Sequence, residues 1–190
     1  MGMPALKKEK YTYGDYVSWE TDERFELIDG VVYNLAAPSK EHQDASRELL
    51  TEFNIYLRGK KCIVYNAPFD VRLPKGNEVD DDVDTVVQPD LAVICDKTKL
   101  DKAGCRGAPD LIVEIVSQDV SRDLKDKFFL YEKHKVKEYW VVHPVDKTVI
   151  VFKTGNNNQY GRPDIYSSKD TIKVGIFPDL EIDLNKVFIE

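Results

Sequence analysis

No apolar run in this chain approaches the ~20 residues that a membrane-crossing helix takes. Nor does a basic stretch followed by a short apolar core open it, so no secretory leader is expected and a cytoplasmic protein is the default. Cysteine is scarce. Cys62, Cys95 and Cys105 are odd in number and none sits at a C-x-x-C spacing, which argues against a zinc framework or a disulfide scaffold. An excess of positive charge is also missing: 27 Lys and Arg face 34 Asp and Glu, a formal net charge of -7. Proteins that coat nucleic acid non-specifically rely on clustered Lys and Arg, so that class is excluded, although a local basic groove is not. Internal repeats and domain linkers are absent too. What is present, 42% apolar and 11% aromatic residues in 190, suits one ordered domain over 1–190, with residues 1–10 a loose basic end.

A short helix is expected around Tyr13 to Glu20, with Tyr16, Val17 and Trp19 as its apolar contacts. "RFELIDGVVYNL" reads as a β-hairpin, because Asp29-Gly30 between two β-rich runs suits a type I′ turn. Ser39 can cap a long helix to about Leu57, where Ala45, Leu49, Phe53 and Tyr56 recur at spacings of three and four. "CIVYNA", "FDVRL" and "VVQPDLAVIC" are strand signals. The acidic "PKGNEVDDDVD" between the last two lacks the spacing of a calcium loop and reads as a solvated hairpin loop. "APDLIVEIVS" is a strand, Ser121 to about His134 a helix, "VKEYWVVH" and "TVIVFKT" strands, and the remainder loop-rich with short strands. The order implies a mixed α/β or α+β sheet.

Two carboxylates interrupt apolar strands. In "DLIVEIVS" strand alternation turns Ile112, Glu114 and Val116 to one face, where a carboxylate is costly without a partner. Asp90 sits likewise in "PDLAVIC", and the Asp101–Gly104 region lies midway between the two. An antiparallel pairing about that midpoint sets Asp90 opposite Glu114 on one face, a register that a one-residue slip would destroy. Facing carboxylates in apolar surroundings repel, and a hard divalent cation resolves the repulsion; Mg²⁺ takes one or two carboxylates and completes its shell with water and substrate phosphate. The chemistry that follows is metal-assisted phosphodiester hydrolysis. The pattern equally admits an edge-strand pair reaching solvent, or a carboxylate tied to an arginine.

On the next helix Leu124, Phe128 and Tyr131 share a stripe facing the sheet, with Lys127 at its edge and Lys125 and Lys133 turned further away. Lys127 can run its stem along the core and bring its ammonium to the carboxylates, or simply snorkel to the surface. His42, in the first turn of the long helix, can contact the scissile phosphate, cap the helix or bond in the core. Glu26 in "RFELI" can support the site from behind, or pair with Arg24 or serve the turn.

"FELIDGVVYNLAAPSKEHQ", "QPDLAVI" and "APDLIVEIVSQDVSRDLKDKFFLYEKHKVKEYWVVHP" resemble the Uma2 family, also called DUF820, a group of restriction-endonuclease type, from about Tyr11 to the final strands. The ordered set Pro89-Asp90, Glu114 with Ser117, Arg122-Asp123, Lys127 and Tyr139-Trp140 carries the likeness. The resemblance implies the PD-(D/E)xK nuclease fold, a central mixed sheet flanked by helices. By position Asp90 and Glu114 would bind Mg²⁺ (or Mn²⁺ in its place), with the backbone carbonyl of Ile115. Lys127 would act beside them; Ser117 of the matching set joins Glu26 and His42, named above from the residues alone, as a candidate to contact substrate or support the ligands. The lysine expected two places after Glu114 is replaced by Val116, so the resemblance is to the variant with a migrated, helical lysine. Gln118 and His143 stand where a proline and an aspartate are common. The expected activity is Mg²⁺-dependent cleavage of DNA, by a homodimer if both strands are cut; RNA or structured DNA stays open as substrate. A non-catalytic module on the same fold, binding nucleic acid or protein, is the alternative.

Overall fold

The computed structural model describes residues 9–116 and 121–189, without the side chains of 121–124. Residues 1–8 and Ser117, named above, lie outside the described residues, as do the side chains of Arg122, Asp123 and Leu124.

Four helices and fourteen strands are described. The helices are α1 (Tyr13–Val17), α2 (Lys40–Leu57), α3 (Ser121–Lys133) and α4 (Leu184–Val187). The strands are β1 (Phe25–Ile28), β2 (Val31–Asn34), β3 (Ile63–Asn66), β4 (Val71–Arg72), β5 (Val86–Val87), β6 (Leu91–Ile94), β7 (Leu100–Asp101), β8 (Gly104–Arg106), β9 (Leu111–Ile115), β10 (Glu138–His143), β11 (Thr148–Lys153), β12 (Asp164–Ser167), β13 (Thr171–Lys173) and β14 (Glu181–Asp183). The main sheet runs β12-β11-β10-β9-β6-β3 and is mixed: β9 and β10 are parallel and every other neighbour pair antiparallel. A parallel pair needs a long crossover, and α3 supplies it.

Alternation along β9 and β6 splits the core between the two faces of this sheet. Leu91, Val93, Leu111 and Val113 pack toward Ala45, Leu49, Phe53 and Leu57 of α2, with the C-terminal strands beside them. Ala92, Ile94 and Ile112 face the other way, against Leu130 and Tyr131 of α3 and Val71, Leu73 and Val87 of a second sheet. That sheet runs β2-β1-β5-β4-β8-β7. Its outer side holds Leu27 and Val86 against Tyr11 and Tyr13. Since Leu27 faces outward, its neighbours Glu26 and Ile28 face the interior, and Ile28 packs there.

The β1–β2 turn is as expected: Asp29 and Gly30 both take positive φ, 49° and 82°, as a type I′ turn requires. Several expectations are corrected. "VVQPDLAVIC" is two strands in different sheets, β5 and β6, because Pro89 has no N–H for a ladder and breaks the run. The connection from β6 to β9 is no direct hairpin: the chain first crosses to the second sheet as a 3-10 turn (Lys97–Lys99), β7 and β8. Helix α1 stops at Val17, which is exposed rather than an apolar contact. The acidic loop forms a 3-10 turn at Asp80–Asp82, and Asp80 pairs with Arg72 and Arg106. Cys62 and Cys95 form a disulfide, which their odd count and wide spacing concealed. The β3–β6 register pairs Ile63 with Ile94, and so brings the next residues out, Cys62 and Cys95, within 4.0 Å Cα to Cα. Cys105 is buried and free.

Candidate active site

The register of β6 against β9 pairs Leu91 with Val113 and Ala92 with Ile112. Continued by one step, it sets Asp90 opposite Glu114 at the end of the pairing, on the face of Ala92 and Ile112. Asp90 lies beyond the last ladder pair, and its side chain takes over there: Oδ2 accepts the Ile115 N–H at 2.7 Å. Oδ1 lies 3.2 Å from His42 Nε2. His42 is aimed by its helix end, where the Ser39 hydroxyl accepts the His42 N–H and caps α2.

Glu114 is buried, and its Oε1 accepts from Tyr131 Oη at 2.5 Å and from Lys127 Nζ at 3.0 Å. Lys127 and Tyr131 are one helical turn apart, so a single face of α3 delivers both to one oxygen. Lys127 Nζ also lies 3.1 Å from Glu26 Oε1, which accepts the Gln88 N–H at 2.8 Å. Only 9% of Lys127 and 3% of Glu26 is exposed, so the lysine is a buried bridge and not a snorkelling surface residue. The pairing of Glu26 with Arg24 is not observed. Arg24 instead lines a cleft of about 290 Å³ with Gln43, Ser46, Asn66, His42 and Gln88, and Asp90, Glu114, Ile115, Val116 and Lys127 form its floor.

Charge balance explains the titration of the group. Burial pushes the Glu114 carboxyl up; Lys127 pulls it back, while Glu26 and Asp90 push it further up, and the net shift is upward. Burial acts to lower Lys127, but Glu114 and Glu26 outweigh it and keep the ammonium charged. Burial likewise opposes charging His42, and Asp90, Glu114 and the Ile115 carbonyl overcome it, so the imidazole is raised from its usual value. Three carboxylates thus share one ammonium and one imidazole, and a cation would relieve the excess.

The donor set fits a hard divalent ion. Asp90 and Glu114 present carboxylate oxygens from opposing strands, and Ile115 lies past the last β6–β9 pair with its carbonyl near His42. Among the described residues no three His, Cys, Asp or Glu side chains form a ready-made metal cage. Two carboxylates and a carbonyl, with water and phosphate completing the shell, is the arrangement Mg²⁺ takes. His42 Nδ1 is buried without a hydrogen-bond partner among the described residues.

Of the residues singled out in the sequence, Asp90, Glu114, Ile115, Lys127, Glu26 and His42 converge here. Tyr131, read there as core, and Gln88, passed over, join them. The helical repeat already placed Tyr131 four residues after Lys127, whereas only the fold brings Gln88 to Glu26.

A mixed sheet with α2 on one face and α3 on the other, and an acidic pair at the end of adjacent antiparallel strands, define a restriction-endonuclease-like nuclease fold. A DUF820 nuclease from Anabaena variabilis, described as putative, shares it: TM-score 0.73 at 18% identity, over 93% of this chain and 97% of that one. The chain belongs to the Uma2 family, whose model carries the description "Putative restriction endonuclease" and matches residues 13–185. A curated relative, an uncharacterized protein of Synechocystis, is 24% identical over 161 residues, 83% of this chain and 81% of its own length.

Proposed function

We propose that this chain is a Mg²⁺-dependent endonuclease that hydrolyses DNA phosphodiester bonds. The observation that carries the reading is the convergence of Asp90, Glu114 and Lys127 at the floor of an open cleft, Lys127 Nζ 3.0 Å from Glu114. Asp90, Glu114 and the Ile115 carbonyl would hold the ion, with Mn²⁺ as a substitute. When bound, the ion would polarise the phosphoryl oxygen and make hydroxide available at neutral pH. Asp90 is held for this task by the Ile115 N–H and His42, and Glu114 by Tyr131. Lys127, kept charged by Glu26 and Glu114, would orient the attacking water or steady the charge developing on the phosphoryl group. Arg24 and His42 would meet the phosphate within the cleft, since both line it. Cutting a duplex on both strands with one such cleft calls for a homodimer, for which gel filtration at twice the mass of one chain is the check.

Incubating the purified protein with supercoiled and linear DNA in Mg²⁺ or Mn²⁺ tests the proposal. Cleavage should depend on the ion and vanish in Glu114→Ala, and cleavage that survives this substitution would sink it. The competing reading is a non-catalytic binding module, favoured by the sharing of Lys127 between Glu26 and Glu114 as in a closed structural ion network. Calorimetry separates the two, because a structural network takes up no Mg²⁺.

A further inference from the structure

Strand β3 is an edge of the main sheet, paired on one side with β6. Its ladder begins with Ile63 opposite Ile94, and the Cys62–Cys95 disulfide takes the next position outward. Two segments are thereby tied side by side, Arg58–Lys61 after α2 and Asp96–Lys99 after β6. Arg58, Lys60, Lys61 and Lys97 are all exposed there. A helix C-terminus favours cations, which accounts for Arg58 and Lys60 but not for Lys97, brought across from another segment. Like charges gathered in this way repel. The disulfide holds the segments together, and Lys60 Nζ is seated 3.0 Å over the Tyr56 ring. Nor is the charge cancelled. The two segments hold one carboxylate, Asp96, which turns back to accept from the Thr98 N–H and hydroxyl. Asp110, bonded to the Cys95 N–H, is buried and paired with Lys137. Among the described residues no carboxylate is in ion-pair contact with Arg58, Lys60, Lys61 or Lys97.

We propose that this basic end of the β3 edge holds the sugar-phosphate backbone of a nucleic acid running on from the candidate active cleft; the choice of partner rests on the nuclease reading of that cleft. The other end of β3 makes the link. Asn66 and Ala67 line the cleft, and the Ala67 N–H donates to the Asp90 carbonyl at 3.1 Å. The extended chain from Lys61 to Asn66 covers about 17 Å, the length of about five stacked base pairs. One molecule can therefore lie over Asp90 and against these lysines at once. Among the described residues no strand flanks β3 on its outer side, so the path is open. Asp90 and Glu114 occupy the floor of the cleft, and the chain carries a net charge of -7. Attraction for a polyanion must then come from a basic patch outside the floor, and phosphates at short regular spacing suit cations spread over two segments.

The test measures binding of the full chain, in EDTA so that no cutting intervenes, to a linear duplex several times that length. Lys60→Gln combined with Lys97→Gln should lower the slope of log affinity against log salt by about 2 and weaken binding at low salt about tenfold or more. Lys169→Gln, equally exposed but beyond β12 at the opposite edge of the sheet, should leave the slope unchanged. On the unmodified chain, acetylation read by mass spectrometry should show Lys60, Lys61 and Lys97 protected by bound duplex and Lys169 not. An unchanged slope in the double variant, or lysines labelled alike with and without DNA, overturns the proposal. A polyglutamate peptide that protects these lysines as well as the duplex does, charge for charge, assigns the face to an acidic protein and overturns it too. Cleavage in Mg²⁺ is read separately: cutting with an unchanged slope removes this inference alone, and a lowered slope without cutting removes the nuclease reading alone.

Discussion

Lys127 holds its ammonium between Glu114 and Glu26, at 3.0 and 3.1 Å, with almost none of the side chain open to water. A buried charge is tolerable only when paired, and each of these three depends on the others. Lys127→Met should therefore have two effects. DNA cleavage should fall about 100-fold or more, as when a charge-stabilising donor is removed from a reacting centre. Urea denaturation should show a loss of about 3 kcal/mol, because two carboxylates are stranded without a counter-charge. A variant as stable as the original would contradict the buried bridge. The lysine itself was legible in the sequence, since helical periodicity put it on the edge of the sheet-facing stripe of α3. Its second partner was not. Glu26 lies 101 residues away, and its nearest cation in sequence, Arg24, points to a local pair, whereas Glu26 Oε1 is taken up by Lys127 and the Gln88 N–H.

Strands β6 and β9 place the carboxylates through a register that the sequence allowed to be guessed from a midpoint near residue 102, and that register holds. The excursion between them was not legible, because β7 and β8 are two and three residues long and draw their stability from a second sheet assembled from distant segments. The break at Pro89 could be read from the residue alone, whereas the disulfide could be found only once the β3–β6 register was known.

Element joins also carry buried polar groups. Glu138 of β10 is fully buried and accepts from Trp140 Nε1 and from the Gly175 and Ile176 N–H groups, fastening the C-terminal strands to the main sheet. Glu138→Ala should cost about 2–3 kcal/mol in urea denaturation, since three donors lose their acceptor. In the second sheet the enclosed guanidinium of Arg72 binds both oxygens of Asp101 at 2.7 Å. Burial raises the Asp101 carboxyl, but Arg72 and the Ala103 and Gly104 amides lower it more, so it ends below its usual value. A depressed carboxylate stabilises the fold above its unfolded pKa of about 4 and loses that contribution as pH falls through the lower folded value. Thermal midpoints should drop on acidification below pH 4, and Asp101→Asn should flatten part of that drop. With Asp101 nearly half exposed, the part is under about 1 kcal/mol.

The whole molecule carries a net charge of -7 and yet belongs to a nuclease family. Its layers reconcile the two. The main sheet brings α2 to one face and α3 to the other, and the cleft opens where the N-terminus of α2, the end of β9 and the second sheet meet. Arg24, His42 and Lys127 are gathered there around Asp90 and Glu114, while Asp80 and Asp84 are paired away from it with Arg72, Arg106 and Lys75. Composition could exclude a protein that coats nucleic acid, but not a local site, because net charge says nothing of where charges sit. What remains central is the carboxylate pair. A crystal structure of the protein soaked in Mn²⁺ tests it most directly, through the anomalous signal of the ion. One peak is expected between Asp90 and Glu114, within coordination distance of the Ile115 carbonyl and with Lys127 still at Glu114. Mn²⁺ absent from that position, with His42 and Lys127 alone neutralising the carboxylates, would contradict it.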